Sequence, residues 1–151
     1  MKAEYINPFL KSSANLFKDY LGLKIEAGKP YINAKPQNLE EEVSGIIGLA
    51  GEVVGAVTLC FKRETALKIV SVFCRKSFRV LSNEAINGVG ELVNIIAGNA
   101  KQYMEQYRIN ISLPGVIVGK SYQINWPKGV PIISIPFTSE MGDFTVNVSF
   151  K

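Results

Sequence analysis

The 151-residue chain contains no histidine. That absence removes the base of Ser-His and Cys-His nucleophilic catalysis and the commonest zinc ligand. Any chemistry must therefore run on carboxylates, amides, lysines or a borrowed metal. Cysteine is scarce: Cys60 and Cys74 are too few for a disulfide framework, and a reduced compartment is expected. There is no run of 18 or more apolar residues, which excludes a helical membrane span. The opening Met1-Lys2-Ala3-Glu4-Tyr5 lacks a continuous apolar signal-peptide core, so the expected location is cytoplasmic. Strong charge of one sign is missing too, since 17 basic residues against 13 acidic ones leave +4. The densest basic stretch, Arg75, Lys76 and Arg79, has no aromatic ladder beyond Phe78. It reads as a solvated loop, and no nucleic-acid partner is expected.

What is present is ordinary globular material, with 47% hydrophobic and 20% charged residues. A chain of this length buries about 70% of its unfolded surface, enough for one domain over residues 1–151 without metals or disulfides. A first helix is expected over Asn7–Tyr20, with Pro8 in its first turn and Phe9, Leu10, Ala14, Phe17 and Leu21 at helical spacing. Gly22 ends it, Lys24 to Ala34 is extended, and Lys35 to Glu42 is a polar connection. Val43–Ala50 and Val53–Lys62 form a hairpin about Gly51-Glu52. Gly45, Gly48, Gly51 and Gly55 fall between strand-like segments with no Gly-Lys-Ser/Thr ending, so they do not read as a phosphate loop.

Arg63–Cys74 is a second helix, and a long third runs from about Ser82 to Tyr107, capped by Ser82 or Asn83. Strands are expected at Ile109–Leu113, Val116–Val118, Tyr122–Trp126, Pro131–Pro136 and Asp143–Phe150. In the last, Phe144, Val146, Val148 and Phe150 alternate with Thr145, Asn147 and Ser149, the pattern of a strand buried on one face. The two halves echo each other as helix, punctuated extended segment and strand pairs, with Arg63–Cys74 connecting them. The expected class is therefore α+β, with two pseudo-repeated halves, a largely antiparallel sheet and long helices packed on it.

The long helix is the most informative element. Ala85, Ile86, Val89, Leu92, Val93, Ile96, Ala97, Ala100, Tyr103, Met104 and Tyr107 form a wide stripe expected to pack on a core. Asn87, Glu91, Asn94 and Gly98 fall at i, i+4, i+7 and i+11 and share one ridge on the other side. Three glycines interrupt this helix, each costing about 1 kcal/mol relative to alanine. Internal packing is expected to explain Gly88 and Gly90. For Gly98, in line with the ridge, internal packing and the approach of a partner both stand.

These residues carry a resemblance. The chain is similar to the CheX branch of the CheX/CheC/FliY phosphatases of bacterial chemotaxis. The likeness runs through Leu21-Gly22-Leu23, Gly28-Lys29-Pro30, the hairpin, Glu64-Thr65-Ala66-Leu67-Lys68 and above all Val89-Gly90-Glu91-Leu92-Val93-Asn94-Ile95-Ile96-Ala97-Gly98. It implies a CheC-like fold and a phosphatase acting on the aspartyl phosphate of a CheY-like receiver domain. Glu91 and Asn94 are then the catalytic pair, with Asn87 and Gly98 at the partner-binding surface. Asn87 stands where family members often have Asp or Ser. In the N-terminal half the matching turn reads Ser12-Ser13-Ala14-Asn15, without a glutamate, which implies one site per chain.

The implied mechanism has Asn94 holding a water in line with phosphorus and Glu91 pairing with a receiver lysine. The chain would bind no cofactor or metal of its own, since Mg²⁺ belongs to the receiver. A homodimer joined by sheet-edge strand pairing is implied as well. Two other readings remain open at this point. The same ridge could dock a receiver or flagellar-switch partner without hydrolysis, or the chain could be a structural adaptor assembling through its sheet edges.

Overall fold

The computed structural model describes residues 3–34, 41–120, 122 and 124–151. Three α-helices, α1 (Ala3–Ala14), α2 (Arg63–Cys74) and α3 (Asn83–Gln102), accompany eight strands. The strands are β1 (Ile25–Ala27), β2 (Tyr31–Ile32), β3 (Val43–Gly51), β4 (Gly55–Phe61), β5 (Ile109–Ile111), β6 (Gly115–Val118), β7 (Ile133–Ser139) and β8 (Phe144–Phe150). All pair antiparallel in one sheet of order β1-β7-β8-β4-β3-β5, with β2 also on β7 and β6 also on β3. Exchanging each strand with the one four places later in the chain returns the same order reversed. The echo of the two halves is thus a pseudo-twofold about the central β4–β8 pair. The α2 helix makes the connection, and each half lends its short strands to the edge of the other.

The helices cover one face of the sheet. Phe9 and Phe17 of the first helical segment meet Phe150 and Phe144 at ring-centroid separations of 5.6 and 4.5 Å. Val57, Leu59 and Phe61 of β4 and Val146 and Val148 of β8 complete a core from which water is excluded. Helix α1 begins earlier than Pro8 suggests. Proline costs only its own bond to the Glu4 carbonyl, and that carbonyl lies in an exposed first turn where water replaces it. The expected single helix also changes character: Asn15–Tyr20 is a π-helical turn. Helix α3 stops at Gln102, where the Tyr103 and Met104 N–H groups bond three residues back and tighten the end of the helix.

Two expectations for the sheet need correcting. Residues 122 and 124–126 form no strand, with 123 outside the described residues. The Tyr122 hydroxyl instead hydrogen-bonds Ser44 on the sheet face away from the helices. Strand β8 is also buried on both faces, since its polar alternates Asn147 and Ser149 are covered about as fully as Val146 and Val148. Burial of Asn147 is tolerable because Ser134 Oγ donates to Oδ1 and Nδ2 donates to Thr58 Oγ1 at 3.2 Å. Cys60 lies in this layer, and burial, with Glu41 adding to it, pushes its thiol up to about 11. Of the polar connection expected over Lys35 to Glu42, residues 35–40 lie outside the described residues.

Candidate functional site on helix α3

Helix α3 opens at Ser82, whose Oγ accepts from Ala85 N at 3.2 Å, and Glu84 complements the positive end of the helix dipole. Its buried stripe is Ala85, Gly88, Val89, Gly90, Leu92, Val93, Ile96, Ala97 and Ala100. On the opposite side Asn87 and Glu91 are exposed, while Asn94 and Gly98 are half-buried. The four residues share one ridge, as the spacing predicts. Glu91 and Asn94 stand three residues apart, so their Cβ atoms lie about 5–6 Å from each other.

Glycines fix the turn that carries this pair from beneath and from both flanks. A Cβ on Gly45 of β3 would lie 2.9 Å from Val93 Cγ1 and 3.3 Å from the Val89 carbonyl oxygen. Helix α3 therefore seats directly on the strand backbone. On one flank a Cβ at Gly90 would meet Val116 Cγ2 at 3.3 Å and Pro114 Cβ at 3.5 Å. On the other, a Cβ at Gly88 would meet Cys74 Sγ and Val70 Cγ1, both at 3.3 Å. Close packing accounts for both helical glycines. Gly98 differs, because a Cβ there would meet nothing within 4 Å. Among the described residues, nothing requires a glycine at that position.

The corresponding turn of the first helix is arranged otherwise. Ser12 and Ser13 are fully buried, and Ser12 Oγ donates to the Ile96 carbonyl at 2.7 Å. Asn15 Nδ2 donates to the Tyr103 hydroxyl at 3.2 Å. This turn is used to pack α1 against α3 and presents no second ridge.

At the amino end of α3 the basic loop carries exposed Arg75, Lys76 and Arg79, with Lys76 Nζ 2.6 Å from Glu84 Oε2. Burial raises the Cys74 thiol, and Glu84 adds to the effect. Toward the carboxyl end a cleft of about 380 Å³ lies between the π-helical turn and α3, lined by Asn15, Leu16, Asp19, Tyr20, Ile95 and Asn99. Sequence periodicity gives no signal for this cleft, because two helices distant in sequence create it. Among the described residues, no three histidine, cysteine, aspartate or glutamate side chains converge as a metal site. No helix among them is long and apolar enough to cross a membrane.

The ridge is convex, so it cannot enclose a small molecule. It carries a carboxylate and a carboxamide one turn apart, Glu91 exposed and Asn94 half-buried. Residues 43–138 match the family of the chemotaxis phosphatase CheX. The CheY-P phosphatase CheX of Thermotoga maritima is 29% identical over 157 residues, covering 100% of this chain and 98% of that protein. The crystal structure of a CheC-like superfamily protein from Shewanella sp. PV-4 has a TM-score of 0.87 at 30% identity, covering 100% and 99% of the two chains. A chain of the CheX–CheY–BeF₃–Mg²⁺ complex from Borrelia burgdorferi has a TM-score of 0.82 at 29% identity, covering 99% of each. With a match over most of its length and a CheC-like α+β fold, the chain belongs to the CheX family of chemotaxis phosphatases.

Proposed function

We propose that this chain hydrolyses the aspartyl phosphate of a CheY-like receiver domain, with Glu91 and Asn94 inserted into the receiver's phosphorylation site. The observation that carries the proposal is the placement of the pair. Both side chains lie on the ridge opposite the buried stripe, one turn apart, and neither has a hydrogen bond or ion pair among the described residues. The complex of a CheX relative with CheY supports a receiver as the partner.

An aspartyl phosphate is a mixed anhydride, so its carboxylate is already a good leaving group. Hydrolysis then needs an aligned water more than a protein nucleophile. Asn94 Oδ1 would accept a hydrogen bond from that water and aim its lone pair at phosphorus, while Nδ2 donates to an adjacent oxygen. The water oxygen bonds to phosphorus as the bond to the aspartyl oxygen breaks. Both hydrogens of the water end on the released inorganic phosphate, and the aspartate leaves as its carboxylate. Glu91 would pair with a receiver lysine and set the docking register. Mg²⁺ would be held by the receiver, where oxygen ligands suit it, and would neutralise charge on the phosphoryl group. Asn87 extends the docking surface, and the open side of Gly98 lets the partner's backbone approach the helix.

Self-association through a sheet edge belongs to the same proposal. The outermost strands on the two sides are β1 with β2 and β5 with β6, and Ile32 and Val118 are exposed there. The test of the activity is phosphate release from a receiver phosphorylated with acetyl phosphate, with and without this protein. Accelerated release is expected. Binding of the phosphorylated receiver with no acceleration would make the chain a docking module and overturn the proposal.

A further inference from the structure

A convex ridge with two polar side chains holds a protein partner weakly, since exposed ion pairs contribute little. Tight protein docking draws on apolar anchors seated in pockets near the centre of the contact. One such pocket adjoins the ridge. We infer that the cleft between the π-helical turn and α3 seats an apolar side chain of the phosphorylated CheY-like receiver, with a cation of the receiver beside Asp19, and that this contact selects among receivers. The inference rests on the reading that Glu91 and Asn94 face the phosphoryl site.

Continuity supports the position. Ile95 and Asn99 line the cleft, Ile95 follows Asn94 directly, and Gly98 lies one turn from Asn94 on the same border. A Cβ on Gly98 would meet no atom within 4 Å, so no group among the described residues crowds that border. A standard interface covers about 800 Å² on each partner, a patch about 16 Å in radius. Centred on Asn94, such a footprint reaches Ile95 and Asn99, the residues that α3 contributes to the cleft, about 1.5 and 7.5 Å along the helix axis.

The construction and chemistry of the cleft point the same way. Its wall is the π-helical turn Asn15–Tyr20, a wider backbone that recurs at functional sites and here forms the last turn of the first helical segment. The opening of about 380 Å³ has room for a large side chain, with half-buried Ile95 and the exposed ring of Tyr20 offering apolar surface above buried Leu16. Tyr20 stands at the rim with 72% of its surface exposed, leaving its ring open to an incoming side chain. Asp19 is exposed and has no ion pair among the described residues. Together with Glu91 it gives this side of a net basic chain two carboxylates awaiting cations.

The test compares Tyr20→Ala and Asp19→Lys with Asn94→Ala, measuring kcat and KM for phosphate release from two different phosphorylated CheY-like receivers. Both positions are exposed, so folding is retained, and circular dichroism checks it. Tyr20→Ala and Asp19→Lys should each raise KM by about 5- to 30-fold, the range of a docking anchor, with kcat changed less than about twofold. The ratio of kcat/KM between the two receivers should shift. Unchanged KM in both variants, with turnover abolished in Asn94→Ala, overturns the cleft and leaves the ridge standing. Undiminished turnover in Asn94→Ala sinks the ridge reading and the cleft with it. Equal losses on both receivers overturn receiver selection, and an altered sedimentation coefficient with unaltered KM makes the cleft a self-association surface.

Discussion

Gly98→Ala separates the needs of the fold from the needs of a partner. An alanine is preferred to glycine in a helix interior by about 1 kcal/mol, because glycine loses more backbone entropy on folding. The added methyl at position 98 meets nothing within 4 Å, so no clash offsets that gain. The isolated protein should be stabilised by about 0.5–1 kcal/mol, which for a chain of this size raises Tm by roughly 1–4 °C. Gly88→Ala and Gly90→Ala should gain less or lose stability, because each new methyl presses to 3.3 Å on a neighbouring side chain. Activity should move the other way. With Gly98→Leu the side chain projects from the docking face, and KM for the phosphorylated receiver should rise at least about tenfold, the equivalent of 1.4 kcal/mol. Calorimetry and phosphate-release kinetics on the same preparations give both numbers. A lower Tm for Gly98→Ala, or an unchanged KM for Gly98→Leu, would refute the reasoning.

Three further outcomes follow from the packing, the buried thiol and the sheet edges. Gly45→Ala should cost about 1–3 kcal/mol by urea unfolding and reduce turnover as well, because the added methyl lifts α3 off β3 at Val89 and Val93; full stability would mean that the helix does not seat on the strand. Cys60 should contribute stability that is complete below the unfolded thiol value of 9.0 and is lost as pH rises toward about 11. Its elevated folded value favours the neutral thiol, and the contribution is on the order of 2–3 kcal/mol. Urea midpoints of wild type and Cys60→Ser should therefore converge above pH 9, and parallel pH curves would contradict this. Ile32→Lys and Val118→Lys place a charge on each open sheet edge, and at least one should shift a self-associating wild type toward monomer in sedimentation velocity; a wild type that stays monomeric at high concentration rules out the edge-paired dimer.

The ridge was legible in the sequence because helical periodicity is a local property. Nine buried residues at three-four spacing define one side of α3, which fixes where Asn87, Glu91, Asn94 and Gly98 must lie. The resemblance then gave chemistry to two residue types that composition alone leaves ordinary. The halves were legible too, and the sheet order shows why: each half repeats helix, short strands and hairpin. What escaped depends on tertiary context. Alternation in β8 distinguishes two faces, but it does not reveal that hydrogen-bonded Asn147 and covered Ser149 are both interior. Strand-like composition at Tyr122–Trp126 does not reveal that residues 122 and 124–126 pair with no strand and that the Tyr122 hydroxyl bonds Ser44. The cleft beside Asn94 exists only because the π-helical turn meets α3, more than seventy residues away in sequence.

The most direct measurement of the central claim is phosphate release and receiver binding for Asn94→Ala and Glu91→Ala side by side. Both side chains face away from the core, so neither truncation disturbs the fold. Loss of the water-holding amide should reduce kcat by about 100-fold or more while the receiver still binds with near-normal affinity. Loss of the carboxylate should weaken binding as well as turnover. Equal losses of affinity in the two variants, or an Asn94→Ala protein that still turns over, would contradict the account.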